Sequence, residues 1–489
     1  MFEIKKIAVG AGMKGKFVNK AVLTVLCCLL AAGCAGGAGR KPVEEAQSTL
    51  KVLYFNESAF YQQYGDLFSM ENKNVELEVV STQGLNNNLE DKTYEEAFNE
   101  LVEKEKPDVL LLDPGTFAEY INDGKLLELD PLLKKDQYSV EGIYPGLLDM
   151  LKELGGSKLY GLAPTFYGNA VFYNRELFRK YGVEPPHDQM TWQEILDLAR
   201  RFPADGDEES RVYGFGNDYS ASVDYLINKI ASSEDLMYVN PATMKVTVDT
   251  DSWKRVYELA IQASSAGVVY SPKDGGFMGG TIEQFYRSQP FLMGRAAMMV
   301  GDPFTLQMLK QAKTAIKDYK PFELGMVSGP VDPADPSTTR NAGINEIFAI
   351  HAQSANQDIA WEFLKFVNGE DYARVKSRSM NGDLMSRMGF MKDDNGQSLD
   401  VFYALKPKLN RNDMNSRKVP TEFRGQFQSL MSEEIALVQE NKKSLDEALK
   451  TIQEKGQAAL DQALKVQKDN KGNQGGDANE VFIMPRPAN

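Results

Sequence analysis

The sequence of 489 residues predicts an α/β fold. Strand-like and helix-like segments alternate near its beginning, and residues 107–113 form an apolar run between turn signals. Such a run is typical of a parallel strand that is covered on both faces. Strands that alternate with helices favour a sheet with helices packed on its faces.

The first segments follow the pattern closely. Residues 50–55 predict a buried strand, residues 61–70 a helix, and residues 75–81, with alternating polar and apolar side chains, a second strand. A helix at 93–104 precedes the strand at 107–113. These segments therefore predict the start of a parallel sheet.

Helical periodicity dominates the remainder of the chain. The predicted helices cover residues 192–202, 222–232, 251–266, 302–319, 355–368, 420–439 and 445–466. Two stretches, 159–173 and 291–300, predict strands that lead across or beside a domain junction. No repeat of fixed period is present.

The amino terminus has the pattern of a lipoprotein signal peptide. Five lysines precede an apolar run of about 12 residues, which is too short for the roughly 20 that span a membrane. The run ends in small residues before Cys34, so residues 1–33 are expected to be removed and Cys34 to carry the lipid. A plain secretory signal is the alternative, because Ala31 stands where a lipobox more often has Leu.

The charge and cysteine content limit the class of protein. Loss of residues 1–33 removes five lysines and one glutamate, which takes the formal charge from −14 to −18 and disfavours nucleic acid as a partner. No cysteine follows Cys34, so no internal disulfide is expected, and no later segment has the pattern of a spanning helix. We expect residues 34–49 to be a flexible tether and residues 467–489 a disordered polar tail.

Five separated segments resemble, in the same order, the family 1 extracellular solute-binding proteins of ABC importers. They are residues 107–133 (PDVLLLDPGTFAEYINDGKLLELDPLL), 159–178 (LYGLAPTFYGNAVFYNRELF), 291–303 (FLMGRAAMMVGDP), 341–367 and 444–460. The resemblance spans nearly all of residues 50–466.

The resemblance implies a two-lobe periplasmic-binding-protein-like fold of type II, in which crossing strands join the lobes and the ligand lies between them. Residues 50–164 with about 345–376 would form the N-terminal lobe, and residues 165–344 with about 380–466 the C-terminal lobe. We expect a monomer, which the lipid on Cys34 would anchor to the outer face of the bacterial cytoplasmic membrane. The monomer would deliver a small polar solute, expected to be a sugar or oligosaccharide, to ABC permease subunits without a cofactor or metal.

Candidate ligand-binding residues follow the predicted strand ends or lie in the crossover segments. Asp113 has the clearest physical case, because a carboxylate after a strand accepts hydroxyl hydrogen bonds, although it is equally expected as the N-cap of the next helix. Phe304 stands where relatives often have Trp, which makes ring stacking and a sugar ligand less firmly expected. The set comprises Asn56, Glu57, Asp113, Thr116, Tyr167, Asn169, Asp218, Tyr219, Asp302, Phe304, Asn341 and Asn345.

Two other functions stay open from the sequence alone. A secreted lipoprotein glycosidase would need two carboxylates about 5 to 9.5 Å apart, which a chain with 69 acidic residues can supply by chance. His187 and His351 fit neither a helical zinc pair nor a serine triad, and residues 393–396 predict a solvated turn rather than a calcium loop. A receptor that presents its ligand to a sensor kinase would have the same fold.

Overall fold

Two main sheets organise the part of the chain that the computed structural model describes. The described residues are 48–87, 92–207, 210–216, 222–270, 279–379, 382–393, 396–410 and 418–473. All of them belong to one compact unit that begins at Ser48.

The first sheet has five strands in the spatial order β2, β1, β3, β14, β4. The strands are β1 (Ser48–Tyr54), β2 (Val75–Ser81), β3 (Val109–Leu112), β4 (Gly161–Leu162) and β14 (Ile347–Ile350). Strand β1 pairs in parallel with β2 and β3, whereas β14 is antiparallel to both β3 and β4. The prediction of a buried parallel strand within residues 107–113 is therefore confirmed, and a strand from much later in the chain completes the sheet.

Helices cover the first sheet on its two faces. They are α1 (Glu57–Phe60), α2 (Asp66–Glu71), α3 (Tyr94–Glu105), α4 (Pro114–Asn122), α5 (Asp130–Asp136), α6 (Pro145–Leu154), α13 (Gln357–Val367) and α14 (Glu370–Lys376). Thr93 and Glu96 form a capping box at the start of α3, which is why that helix begins where the sequence predicts. Phe60, Phe68, Phe348 and Phe363 are fully buried in the shared core.

A π-helical turn interrupts the helix that the sequence predicts at 61–70. Residues Tyr61–Gly65 form this turn between α1 and α2. Side chains of α14 bind two of its backbone oxygens: the Lys376 ammonium donates to Gln62 O at 2.6 Å and the Tyr372 hydroxyl to Gln63 O at 3.1 Å. The predicted helix is therefore present, with a π-helical turn at the place where partners from a distant segment bind its backbone oxygens.

The second sheet has four strands in the order β11, β6, β10, β7. They are β6 (Ala170–Asn174), β7 (Tyr213–Phe215), β10 (Ala296–Gly301) and β11 (Leu324–Val327), with β10 antiparallel to β6 and parallel to β7. Its helices are α7 (Arg175–Tyr181), α8 (Trp192–Ala199), α9 (Val223–Ser233), α10 (Asp251–Ser265), α11 (Ile282–Arg287), α12 (Phe304–Ala315), α15 (Thr421–Gln439) and α16 (Leu445–Asn473). A short hairpin, β8 (Val239–Asn240) with β9 (Lys245–Val246), packs against α16 through Gln453 and Gln457.

The chain passes between the two sheets through short strands. Strand β5 (Thr165–Gly168) lies between β4 of the first sheet and β6 of the second, and it pairs with β13 (Ala342–Gly343) and β15 (Leu384–Met385). Strand β12 (Thr338–Thr339) pairs with β16 (Lys406–Pro407). The crossing strands that the resemblance implies are thus present as β5 and β13, whereas β10, from the predicted stretch 291–300, lies within the second sheet.

Some element boundaries differ from the sequence prediction. Strand β10 begins at Ala296 because residues before it form a turn, and α12 spans only Phe304–Ala315 of the predicted 302–319. Helix α16 continues past Val466 to Asn473, so the first residues of the expected polar tail are helical. Met385, Met391, Leu399 and Phe402 belong to a hydrophobic cluster that contains the core of the first sheet and some residues of the second. The exact lobe boundaries stay a prediction.

Candidate functional site

One edge of the first sheet collects the ends of several strands. Strand β1 is parallel to both β2 and β3, so the carboxyl ends of the three strands meet at this edge. The antiparallel strand β14 begins at the same edge, where Ile347 lies opposite Leu112. The residues beside these ends line a cavity of about 190 Å³. Its lining residues are Tyr54, Phe55, Thr82, Tyr94, Phe98, Leu111, Leu112, Asp113, Thr116, Asn345 and Glu346.

Three sequence candidates, Asp113, Thr116 and Asn345, come together in this cavity. Asp113 Oδ1 accepts hydrogen bonds from the backbone N–H of Gly115 at 3.0 Å and of Thr116 at 3.2 Å. Its Oδ2 accepts the Thr116 hydroxyl at 2.7 Å. The expected N-cap role is confirmed, and it holds the carboxylate at the edge of the cavity. A ligand-binding role for these residues stays a prediction.

Two acidic residues that the sequence did not single out, Glu346 and Asp383, contribute negative charge here. Burial, and then the negative charge of Asp383, raise the pKa of the Glu346 carboxyl. Asp383 is exposed at the surface, and partial desolvation by its neighbours raises its pKa. Both charges act on Tyr54, whose pKa is raised first by burial and then by Glu346 and Asp383. These shifts show that the three groups are electrostatic neighbours.

The segment that contains Asp383 approaches a strand end of the second sheet through its neighbour Gly382. The preceding residue, Gly382, has φ +110, and a Cβ placed on it would lie 3.3 Å from the Phe304 Cβ. Glycine is therefore needed for this close approach. Asp302, which follows β10, accepts the Phe304 backbone N–H at 2.9 Å. The Phe304 ring is half-buried and packs against Tyr286, Leu292 and Met308, so only part of it is accessible for stacking.

The crossing segments position Tyr167, Asn169 and Asn341. A Cβ on Gly343 would lie 2.8 Å from the Tyr167 hydroxyl oxygen, so the Tyr167 ring occupies the space above this glycine. The Asn169 backbone N–H donates to Asn341 O at 2.9 Å.

The Asn341 side chain is buried and serves the protein itself. Its Nδ2 donates to the Ser233 hydroxyl and to Pro330 O, each at 3.1 Å. This amide therefore links the segment before β13 to the end of α9. The expected contact of Asn341 with ligand stays a prediction.

Asn56 and Glu57 follow β1. Asn56 Oδ1 accepts the Ala59 backbone N–H at 2.8 Å and caps α1, while Glu57 is exposed in the first turn. Asp218, Tyr219 and Cys34 lie outside the described residues.

Two larger cavities are also present. One of about 620 Å³ lies between α11, α12 and residues 377–399 and reaches Pro303 beside Asp302. Another of about 400 Å³ lies between α9 and α15 and has a mostly apolar lining. Of these three cavities, the one of 190 Å³ is formed by the carboxyl ends of parallel strands, which is where open α/β sheets bind ligands.

The described ranges contain no group of three or more His, Cys, Asp or Glu arranged to hold a metal ion. At the predicted solvated turn, Asp393 Oδ1 accepts the Gln397 backbone N–H at 2.8 Å, whereas residues 394–395 lie outside the described ranges. Within those same ranges, no helix is both long and apolar enough to cross a membrane.

The fold and the strand-end cavity define a class of binding protein, and comparison with known sequences identifies the family. The model of the bacterial extracellular solute-binding protein family matches residues 54–374, more than half of the chain. The protein belongs to this family. A binding protein of Brucella abortus (strain 2308) is 22% identical over 312 residues, which cover 61% of this chain and 68% of that protein.

Solved structures share the two-lobe fold. The sugar-binding protein MalE of Xanthomonas citri has a TM-score of 0.59 and 14% identity, covering 86% of this chain and 99% of that one. A sugar transporter of Rhizobium etli in an open conformation has a TM-score of 0.56 and 17% identity, and the match covers 84% of this chain and 99% of that one. UspC of M. tuberculosis has a TM-score of 0.56 and 18% identity, and the match covers 84% of this chain and 100% of that one. The protein thus has the α/β fold of two-lobe periplasmic binding proteins such as MalE.

Proposed function

We propose that the protein is a lipid-anchored receptor that binds a sugar or oligosaccharide outside the cell and delivers it to an ABC permease. The observation that carries this proposal is the cavity at the carboxyl ends of β1, β2 and β3 in a chain of the solute-binding family. Its hydroxyl, amide and carboxylate groups suit a polyol, and the exposed ring of Phe55 offers an apolar face for a pyranose.

The ligand would lie between the strand ends of the two sheets. A cavity of about 190 Å³ is smaller than the roughly 300 to 1,000 Å³ of typical ligand pockets. We infer that it forms one half of the site and that Asp302, Phe304 and the residues near Tyr167 supply the other half. Asp218 and Tyr219 are proposed to belong to that second half by resemblance alone.

The anchor and the partner follow from the sequence and the family. The proposed lipid on Cys34 holds the receptor at the outer face of the cytoplasmic membrane, beside the permease. A single acyl chain binds membranes weakly, so the lipid must carry two or more chains.

A thermal-shift screen of the purified protein against neutral mono- and oligosaccharides and matched amino sugars tests the proposal. A ligand that binds only the folded state raises the melting temperature by mass action. We expect at least one sugar to do so, with chromatography returning that sugar chemically unchanged. Absence of any shift across the panel would contradict the sugar proposal.

The pair Glu346 and Asp383 is the feature that most favours a glycosidase. Such an enzyme needs one protonated carboxyl and one ionised carboxylate. Here desolvation raises the pKa of both groups, Asp383 is exposed, and neither carboxyl is oriented by a cation or donor among the described residues. The pair therefore suits binding better than catalysis, and release of reducing ends from an oligosaccharide by pure protein would reverse this conclusion.

A further inference from the structure

An apolar groove of about 400 Å³ lies between α9, α15 and strand β8. It shares no described lining residue with the cavity at the strand ends of the first sheet. The buried side chains of Phe423, Phe427 and Met431 line it from α15. Partly exposed apolar residues complete the lining, and they are Leu236, Met237, Tyr238, Pro241 and Val419. Covering such a surface with another apolar group is favourable, because it removes apolar area from water.

The sequence after the last described residue, Asn473, contains a segment of matching polarity. Residues 474–480 (QGGDANE) are polar, whereas residues 481–485 (VFIMP) are apolar. The tail that the sequence analysis expects to be polar thus includes four consecutive large apolar side chains. Leaving them in water has a cost that burial in a groove would remove.

The geometry of α15 and α16 puts this segment within reach of the groove. Glu434 of α15 pairs with Lys443, while a Cβ on Gly456 would lie 2.6 Å from the Phe427 ring. Later residues of α16 therefore lie beside earlier residues of α15. The stretch of α16 from Gly456 to its end at Asn473 is about 25 Å long. Residues 474–482 can extend about 30 Å, which is enough to return along α16 to the groove.

The charges of the segment and the groove are complementary. Arg424 is exposed and is the only charged residue among the described residues that line the groove. Asp477 and Glu480 come shortly before the apolar residues. Their carboxylates would lie near Arg424 when the apolar side chains enter the groove, an attraction that salt would screen.

The local sequence also favours a conformation that suits a groove. Val481 and Ile483 are β-branched, and the residue before Pro485 is disfavoured in a helix. In an extended segment, Phe482 and Met484 point to the same side. Two large apolar side chains would then face the groove together.

We propose that residues 481–485 dock in the groove between α9 and α15 of the same chain, with Phe482 and Met484 as the inserted side chains. Residues 411–417 (RNDMNSR), which also lie outside the described ranges, contain one large apolar side chain and match the groove less well. The proposal is independent of the proposed ligand, because the groove is separate from the cavity at the strand ends.

Disulfide trapping tests the proposal. The three cysteines of the chain all precede residue 35, so protein that begins at residue 35 has no thiol of its own. Gln428→Cys adds a thiol to the groove lining, and Ile483→Cys adds one to the docking segment. Gln426→Cys is the matched control, because Gln426 is exposed on the same helix and is absent from the groove lining. We expect the intrachain disulfide to Ile483→Cys to form in about tenfold higher yield with Gln428→Cys than with Gln426→Cys, because docking raises the effective concentration of the thiol. Peptide mass mapping measures the two yields.

Adding Phe482→Ser should reduce the yield with Gln428→Cys to that of the control, because it removes an inserted apolar side chain. Deleting residues 481–489 should lower the melting temperature by about 2 °C or more. Equal yields with the two glutamine positions would overturn the proposal, as would an unchanged melting temperature after the deletion. A disulfide that joins two chains would also overturn it and would make a second copy of the protein the occupant of the groove.

Discussion

At the scale of single residues, Asp113 combines a structural and a proposed binding role. Its Oδ1 accepts two backbone N–H groups at the start of α4, and its Oδ2 accepts the Thr116 hydroxyl. The cap fixes where the carboxylate lies, and the carboxylate is what a ligand hydroxyl would meet.

Substitutions at Asp113 separate these roles. Asp113→Ala removes the cap and should lower the free energy of unfolding by about 0.5 to 2 kcal/mol, whereas Asp113→Ser retains a capping oxygen and most of that stability. Both changes remove the carboxylate and should weaken binding of the best sugar in the screen by about ten- to hundredfold. Chemical denaturation and titration measure the two effects. Wild-type affinity in the Ser variant would place the ligand away from Asp113.

Glu346 gives a prediction about stability without ligand. A raised pKa in the folded state means that its contribution to stability is fully present below the ordinary value of 4.5 and is lost as the pH rises through the folded value. Glu346→Gln should therefore raise the melting temperature of the free protein at pH 7, with a gain that shrinks as the pH approaches 4.5. Melting curves at several pH values measure this, with Glu71→Gln, the same change at an exposed residue, as the control. A gain independent of pH would show that ionisation of the buried carboxyl is not its cause.

The residues differ in how far sequence alone locates them. The position of Asp113 after an apolar run and before Pro114-Gly115 is a local signal, and both its cap role and its place in the cavity were accessible from it. Glu346 and Asp383 belong to separate segments that the fold brings close enough for the charge of Asp383 to raise the pKa of Glu346. This proximity arises from tertiary packing, so no local pattern indicated it.

At the scale of elements, it was easier to predict whether a segment is a helix or a strand than to predict an irregular turn within a helix. Strands β1, β2 and β3 and the helices α3 and α10 begin within a few residues of their predicted positions, because alternation and N-caps are local signals. The π-helical turn at Tyr61–Gly65 depends on Tyr372 and Lys376, which lie about 310 residues later. A contact at that separation leaves no periodic trace in the sequence.

This turn gives a prediction at the same scale. Tyr372→Phe removes the hydroxyl that donates to Gln63 O and should lower the free energy of unfolding by about 0.5 to 1.5 kcal/mol. It should also speed backbone hydrogen exchange within residues 57–71. Tyr319→Phe is the matched control, since its hydroxyl donates to Leu292 O in the second lobe. Equal exchange at 57–71 in both variants would show that the contact does not hold the turn.

At the scale of the whole molecule, the proposed lipid decides where the receptor works. Cys34 precedes Ser48, where the described body begins, and we expect its substitution to leave the fold of that body intact. Cys34→Ala should release the protein from the membrane fraction while its melting temperature stays the same. Fractionation and immunoblotting measure this. Continued firm attachment of the variant to membranes would contradict the lipoprotein assignment.

The two crossing strands and the small cavity together predict a closing motion. Strands β5 and β13 are the short connections between the two sheets, and a cavity of about 190 Å³ holds only part of a ligand until the second lobe covers it. Ligand should therefore favour a closed arrangement and reduce the radius of gyration, as hinge closure does in periplasmic binding proteins. Small-angle X-ray scattering at saturating concentrations of the best-binding sugar measures the change. An equal concentration of a sugar that does not bind in the screen excludes solvent contrast as the cause, because the protein should then keep the larger radius. If wild type binds the sugar by titration yet its radius is unchanged, the ligand occupies the edge of the first sheet without lobe closure, and the second-lobe residues Asp302 and Phe304 lose their proposed part in the site.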